Sequence, residues 1–143
     1  MAEQKMGYEG LIYYGAAGTT AGTLIPETGD MSITFDIETG DTTTRNADGS
    51  IPIETSQTTG RKWSMDFNCL NVPGNAVIAA LLAASFTGTP IAFRDKDYVS
   101  GKGYDGDVIV SHKSGRPLKG QQTIDFTVRP TKAGGRPIPS LYV

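Results

Sequence analysis

Residues 31–38 read "MSITFDIE" and alternate apolar and polar side chains without a break. Successive side chains of an extended strand point to opposite faces, so this segment has one apolar face and one polar face. A period of two with one polar face predicts a half-buried antiparallel strand. The apolar face carries Met31, Ile33, Phe35 and Ile37, and the polar face carries Ser32, Thr34, Asp36 and Glu38.

Two further segments repeat this alternation along the chain. Residues 61–70 read "RKWSMDFNCL" and residues 123–129 read "TIDFTVR". The shorter runs at residues 90–94 and 107–111 add two more strand candidates. We expect the apolar faces of these strands to form the core, with these members: Ile33, Phe35, Trp63, Phe67, Phe126 and Val128.

One segment, residues 75–86, follows a different period. It reads "NAVIAALLAASF", is rich in the helix formers Ala and Leu, and spaces its larger apolar residues as a helix does. It carries no charge, whereas a helix on a solvated surface normally has a charged stripe. We therefore predict a helix that packs Leu81 into the core and whose Ala-rich side is covered by a neighbouring subunit.

The order of these elements predicts a mainly β fold in a single domain, residues 1–143. We expect a β-sandwich or antiparallel sheets with one flanking α-helix. Three connecting regions complete the prediction: an extended N-terminal segment at 1–25, a long inter-strand loop at 39–60, and a C-terminal arm at 130–143. The prolines of the last region favour an extended arm rather than core.

Composition limits the function classes. The 143 residues carry a formal net charge of −2 and a pI near 5.3, which argues against strong binding to a phosphate backbone. A single cysteine excludes a disulfide framework and fits a reducing compartment. The first ten residues hold no apolar segment, so we expect no secretory signal. The apolar run at 76–86 is too short to span a bilayer, so we expect no membrane partner.

The sequence offers little for catalysis or metal binding. His112 and Cys69 cannot form a zinc site alone, and Cys69 lies on an apolar strand face. "GKGYDG" at residues 101–106 matches a dinucleotide-binding spacing, but a strand follows it where a helix is required. We therefore predict no enzyme and no cofactor. A weak cation-site candidate remains at Asp95, Asp97, Asp105 and Asp107.

The polar stretch between the first two long strands is the most unusual feature. Residues 38–60 read "ETGDTTTRNADGSIPIETSQTTG". A compact domain rarely keeps so long a connection unless it is functional, disordered or ordered by a partner. The apolar Ile51 and Ile53 favour a segment that packs against another subunit, and a surface loop is the alternative.

Four short motifs, in this order and spacing, make the chain resemble a known family. They are Asp41 with Thr43–Thr44–Arg45 after a strand, a strand with Trp63, a helix leading into Gly88–Thr89–Pro90–Ile91, and Gly106–Asp107 with Val110 before Pro117–Leu118. Over about residues 8–132 the sequence resembles the major tail tube protein of long-tailed bacteriophages.

This resemblance implies a β-sandwich whose six copies form a ring, with the sheets joined into an inner β-barrel. Rings would stack into a virion tail tube through which DNA is delivered. The implied partners are further copies of the chain, the tape measure protein, the tail terminator and the baseplate or tail tip proteins. Synthesis would take place in the cytoplasm of the bacterial host.

In that family the long loop reaches an adjacent ring or subunit. The loop residues that carry this expectation here are Asp41, Thr43, Thr44, Arg45, Ile51 and Ile53. Separately from the resemblance, we predict that Arg45 pairs with a carboxylate across the interface between rings.

The polar strand faces carry more acids than bases. Lys62 and Arg129 stand against four acids: Asp36, Glu38, Asp66 and Asp125. If these faces line a lumen, their charge would repel DNA and let it slide, whereas a basic lumen would bind it. An ordinary solvated sheet face is the alternative.

Two other function classes stay open from the sequence. A tube subunit of a bacterial secretion or contractile injection system would share the fold. A small β-barrel that binds nucleic acid or carbohydrate would use exposed aromatics, such as Tyr98 and Tyr104, beside Arg94. Salt-dependent retention on single-stranded DNA would favour the binding module, and growth into uniform tubes would favour a tube subunit.

Overall fold

The computed structural model describes residues 4–136 and 138–143; the parts of the predicted terminal segments at 1–3 and 137 lie outside these residues. A short 3-10 turn at Gly7–Glu9 precedes the first strand. The regular elements are β1 (Leu11–Ala16), β2 (Thr23–Leu24), β3 (Thr28–Asp41), β4 (Ser56–Leu70), α1 (Ala76–Thr87), β5 (Ile91–Lys96), β6 (Asp105–Gly115) and β7 (Thr123–Pro130).

All seven described strands belong to one antiparallel sheet in the order β2-β1-β5-β6-β7-β4-β3. Strands β4 and β5 are three strand spacings apart, which is about 14 Å in a flat sheet. The rings of Phe67 on β4 and Phe93 on β5 are only 5.9 Å apart, so the sheet curls around its apolar face. The predicted mainly β class with one flanking helix is confirmed, and the sandwich takes the form of one curled sheet.

The core fills the concave side of this curl. Trp63 stacks on Tyr104 with ring centroids 3.9 Å apart, and Phe67 packs on Phe126 at 5.3 Å. Helix α1 closes the core by burying Ile78 and Leu81. Among the residues expected to be core, the buried ones are Trp63, Phe67, Leu81, Phe126 and Val128.

Helix α1 begins and ends where its sequence provides caps. The Asn75 side chain accepts hydrogen bonds from the backbone N–H groups of Val77 and Ile78, at 3.0 and 3.4 Å. Gly88 ends the helix in the left-handed region, at φ 69°, which favours glycine. The Oγ atom of Ser85 lies 2.6 Å from Nδ1 of His112 on β6, so the only histidine of the chain ties the helix to the sheet.

Two of the residues predicted as core are not buried in the single chain. Ile33 is 50% exposed and Phe35 is 51% exposed. Both lie on β3, which is the last strand of the sheet and pairs only with β4. The prediction failed because alternation identifies an apolar face without showing whether another layer covers it.

The N-terminal region, predicted as an extended segment in which residues 8–14 form either a first strand or an arm, contributes strands β1 and β2 to the sheet. Strand β1 pairs with β5 over six residues, from Leu11 opposite Lys96 to Ala16 opposite Ile91. Ile12 is buried in the core. The partner strand lies about 80 positions away in sequence, and this distance hides the pairing from local patterns.

The C-terminal arm also folds back onto its own domain. The backbone of Ser140 exchanges hydrogen bonds with that of Asp105, at 2.8 and 2.9 Å, and Val143 does the same with Gly103. Leu141 packs against the core. The sequence predicted an extended arm rather than core, whereas residues 138–143 lie against their own domain and Leu141 contributes to the core packing.

The long loop is shorter than predicted because its ends continue the strands. Strands β3 and β4 pair as far as Asp41 opposite Ser56, which leaves residues 42–55 as the connection. A register shift after Glu38 places one extra residue of β4 in the ladder near Gly60. Such a bulge bends a hairpin and strengthens its twist.

Candidate assembly surfaces

The free edge of the sheet is strand β3. It has 14 residues and no described strand pairs with its outer side. The opposite edge is the two-residue strand β2. A long, unpaired edge strand is a template for pairing with another chain, and proteins usually blunt such edges with lysine, proline or short strands. Strand β3 contains neither lysine nor proline.

An apolar row runs along the same strand. Ile33, Phe35 and Ile37 lie opposite Met65, Trp63 and Arg61 of β4 in the ladder, so the row continues the concave face of the sheet. All three side chains are about half exposed, at 50, 51 and 49%. We call them the β3 apolar row. Solvent-exposed apolar patches of this kind mark interaction surfaces.

The polar face of the sheet brings together all four acids singled out from the sequence. Strand register places Asp36 opposite Lys62, Asp66 opposite Ser32 and Thr127, and Asp125 opposite Asn68. Residues directly opposite each other on neighbouring strands share a face. All four of these acids are exposed: Asp36, Glu38, Asp66 and Asp125.

Bases moderate the charge of the polar face. Lys62 forms an ion pair with Glu38 at 2.7 Å, and the hydrogen bond and charge of Glu38 raise the pKa of Lys62. Lys113 on β6 lies opposite Asp125, which the sequence reading did not include. Asp30 is exposed and lines a groove of this face with Asp66 and Asp125. With Arg129, three bases therefore stand against five acids, and the excess of two negative charges equals that of the four acids and two bases counted from the sequence.

The connection at residues 42–55 is held by its own hydrogen bonds. The backbone N–H of Thr42 donates to the carbonyl of Thr55 at 3.0 Å, and the N–H of Thr55 donates to Oγ1 of Thr43 at 3.0 Å. The N–H of Thr43 donates to a carboxylate oxygen of Asp41 at 2.8 Å. The pKa of Asp41 is lowered by hydrogen bonds from Thr43, with the larger contribution from its side chain and the smaller from its backbone. Thr44 and Arg45 follow, exposed.

Ile51 and Ile53 lie at the far end of this hairpin. They are 90 and 83% exposed. A turn from Asn46 to Gly49 precedes them, closed by a 3.2 Å backbone hydrogen bond with Gly49 at φ 78°. The side-chain amide of Asn46 also donates to the carbonyl of Ile51 at 3.2 Å. The two isoleucines are therefore presented to solvent by an ordered turn.

The buried carboxylate of Asp107 binds both the N-terminal loop at Gly18 and the C-terminal turn at Arg136, a role that the sequence did not predict. Asp107 is 1% exposed and accepts hydrogen bonds from the N–H of Gly18, at 3.1 and 3.2 Å, and from the N–H and Nε of Arg136, at 2.9 and 3.2 Å. Arg136 also donates to Asp105 at 2.8 Å. The only signal in the sequence was the pair of acids Asp105 and Asp107, which was interpreted as part of a possible cation site. Its partner is an arginine 29 residues away.

Of the residues considered for a binding groove, Tyr104 is not available for stacking on a ligand. Tyr104 is buried and stacked on Trp63, and its hydroxyl donates to the backbone carbonyl of Asp107 at 3.1 Å. Burial raises the pKa of Tyr104. Arg94 lies 3.4 Å from Asp105. Tyr98 is partly exposed, and Nζ of Lys5 lies 4.6 Å from the centroid of its ring.

Cys69, the one cysteine considered for metal binding, lies in the hydrophobic core. Cys69 is fully buried, and burial raises its pKa to about 11. Within residues 4–136 and 138–143, no three His, Cys, Asp or Glu side chains are grouped to hold a metal ion. Over the same part of the chain, no helix is long and apolar enough to cross a membrane.

Solved structures of tail assemblies share this architecture. The chain superposes on a protein of the tail of an empty gene transfer agent particle, refined with helical and C6 symmetry, with a TM-score of 0.73 and 17% identity; 98% of this chain and 100% of that chain are covered. The chain has the tail tube fold. A protein of the native gene transfer agent virion gives a TM-score of 0.71 at 15% identity, covering 98 and 99% of the two chains.

A third match extends the tail tube fold to another particle. The SPP1 tail tube protein gives a TM-score of 0.67 at 14% identity and covers 88% of this chain and 75% of that chain. No protein-family model matches the sequence, and no curated protein matches it. The resemblance found in short motifs is thus supported at the level of the fold.

Proposed function

We propose that the chain is the structural subunit of a virion tail tube. In this proposal six copies form a ring, their sheets join into an inner barrel, and rings stack into a tube that delivers DNA. The fold is shared with proteins of assembled tails, one of them refined with C6 symmetry.

The free edge of the sheet is the observation that carries this proposal. Strand β3 has 14 residues, its outer side is unpaired, and it carries the half-exposed β3 apolar row. A monomer with such an edge is prone to aggregation. In a closed ring, the neighbouring copy pairs with the β3 edge and covers the β3 apolar row. The surface that would cause aggregation of a monomer then forms the contact between subunits.

The polar face of the sheet is the proposed lumen surface. It carries Asp30, Asp36, Glu38, Asp66 and Asp125 against three bases, and all of these side chains are exposed. A weakly acidic wall does not retain a polyanion, so DNA passes without binding. The Lys62–Glu38 ion pair neutralises one base and one acid of this surface and so leaves its net charge unchanged.

Further contacts of the tube would follow from its place in a particle. The ends of a tube must meet proteins of other kinds, so we extend the proposal to a tape measure protein inside the tube, a tail terminator at one end and a baseplate or tail tip at the other. The subunit would be made in the cytoplasm of the bacterial host and function in the virion.

Loop replacement tests this function. Asp41 and Ser56 are paired across the hairpin, so a two-residue Asn-Gly turn can replace residues 42–55 and still close the hairpin. We expect the shortened protein to keep the circular dichroism spectrum of a β protein and to lose polymerisation in sedimentation. Shortened protein that still forms tubes would contradict the assigned role of the loop, including Arg45.

A matched control separates the loop from general damage. Leu118 is fully exposed in the turn between β6 and β7. Leu118→Ser changes an exposed apolar residue outside the proposed contacts and should leave both folding and assembly intact.

A further inference from the structure

The hairpin tip presents an apolar pair that its own chain does not cover. Ile51 and Ile53 flank Pro52 and are among the most exposed large side chains of the described residues. Glu54 follows directly, and it forms no ion pair within residues 4–136 and 138–143. We call residues 51–54 the tip segment: two isoleucines, a proline and a free carboxylate.

The same chain carries a groove of matching character. It lies between the β3–β4 hairpin and the C-terminal residues, and its volume is about 210 Å³. A 150 Å³ apolar cavity is enough to hold benzene, so this groove has room for an aliphatic side chain and a proline ring. Its lining includes the apolar residues Phe35, Trp63, Ile138, Pro139 and Leu141 together with the basic residues Arg61 and Lys62.

The charges of the two surfaces are complementary. Arg61 lies beside the apolar groove and, within the described part of the chain, has no ion-pair partner. The tip segment brings Glu54 next to Ile53. An apolar contact flanked by a carboxylate–guanidinium pair fixes register as well as affinity.

A tip cannot reach the groove of its own chain. Phe35 lies in the groove, and Asp41, where the connection begins, is six positions further along β3. At about 3.4 Å per residue, the strand holds the start of the connection about 20 Å from Phe35. The tip segment is tied to the other end of the ladder at Ser56 by two to five residues, which span at most about 17 Å, so it does not reach back to the groove.

We propose that the tip segment of one copy docks into the Phe35–Trp63–Leu141 groove of another, with Glu54 paired to Arg61. This proposal rests on the proposed self-assembly and assigns the loop its receptor. The tip segment and the groove are different surfaces of the same chain, so the contact is head-to-tail. A head-to-tail contact can repeat from one copy to the next and build an extended assembly. Half-exposed Phe35 and exposed Ile138 become covered only when a neighbour is present.

Charge reversal tests the pairing directly. We expect Arg61→Glu and Glu54→Arg each to lower the polymer fraction in sedimentation at least tenfold at a fixed concentration. The double variant Arg61→Glu/Glu54→Arg should recover most of it, because the ion pair is restored with reversed polarity. Arg116→Glu, in the exposed turn between β6 and β7, is the matched control, and adding it to Glu54→Arg should not restore the polymer fraction.

Disulfide trapping provides the second readout. Cys69 is fully buried with a pKa near 11, so it does not compete with an added thiol. Mixing Ile53→Cys protein with Ile138→Cys protein should give a covalent dimer under mild oxidation. Mixing Ile53→Cys with Leu118→Cys should not.

Each outcome decides one of the two proposals. Tubes together with rescue and with trapping at position 138 support the docking. Tubes without rescue, or trapping equally strong at position 118, overturn the docking and leave the tube function in place. Wild-type protein that never polymerises contradicts both.

Discussion

A single buried carboxylate, Asp107, joins the two ends of the chain to the sheet. It accepts hydrogen bonds from Gly18 and Arg136, and it has no access to solvent. Arg136 keeps its ion pair with Asp105 when Asp107 is replaced. An asparagine, however, cannot accept all the hydrogen bonds that the Asp107 carboxylate accepts, and hydrogen bonds to charged groups contribute about 1.5 to 3 kcal/mol. We expect Asp107→Asn to lower the free energy of unfolding by about that amount, measured by denaturant titration.

Backbone exchange shows where Asp107 acts. In Asp107→Asn the amide hydrogens of Ser140 and Val143 should exchange faster with solvent, because the turn at Arg136 that aligns them is released. Asp125→Asn, on the exposed polar face, should leave both stability and exchange unchanged. An Asp107→Asn protein within about 0.5 kcal/mol of wild type would contradict the anchoring role.

A second buried carboxylate, Asp95, makes stability depend on pH. Burial, followed by the charge of Asp97, raises the pKa of Asp95 to about 6, whereas an unfolded aspartate titrates near 3.9. Between these values the folded chain holds more protons, so this group destabilises the fold increasingly as pH rises from about 4 to 6. We expect Asp95→Asn to unfold less readily than wild type at pH 7, by about 2 to 3 kcal/mol.

The difference between the two proteins isolates Asp95 from other carboxylates. Denaturant titrations at pH 4.5 and pH 7 should show the advantage of Asp95→Asn shrinking at the lower pH, where the wild-type carboxyl is protonated. An advantage that is equal at both pH values, or absent, would show that Asp95 is not the titrating group.

At the level of elements, helix α1 depends on its N-cap. The Asn75 side chain satisfies the N–H groups of Val77 and Ile78. Replacing such a cap with alanine typically costs about 1 kcal/mol. We expect Asn75→Ala to lower the free energy of unfolding by that amount, while Asn75→Asp retains an acceptor and should be neutral. Equal losses in both variants would exclude capping as the cause.

Elements with a local signal could be predicted, and elements with distant partners could not. The alternation around Phe67 and Phe126 and the spacing around Leu81 are local, so the strands and the helix were found. The pairing of β1 with β5 depends on contacts such as Tyr13 opposite Arg94, which no local pattern contains. The C-terminal contacts depend on the Arg136 pair with Asp107 in the same way.

At the scale of the whole molecule, the sequence has the apolar pattern of a buried strand at a surface that the single chain leaves exposed. Ile33 and Phe35 were predicted as core because their alternation is that of a buried face. In the single chain they are half exposed, since β3 is the end of the sheet. The pattern cannot distinguish a face covered by its own fold from one covered by another copy.

The same limit applied to the candidate site. Periodicity placed Asp36, Glu38, Asp66 and Asp125 on polar faces, and strand register puts them on one face of one sheet. The groove beside Phe35 had no sequence signal, because it forms where the hairpin meets the C-terminal residues.

Electron microscopy of the purified chain over a concentration series is the most direct test of self-assembly into a tube. The tail tube fold and the open β3 edge predict stacked rings or hollow tubes of uniform width, with a pore that passes a DNA duplex. Tubes should appear above a threshold concentration and be absent for the protein with the Asn-Gly turn. Isolated small particles at every concentration, with or without a tube fragment added as a seed, would contradict the account.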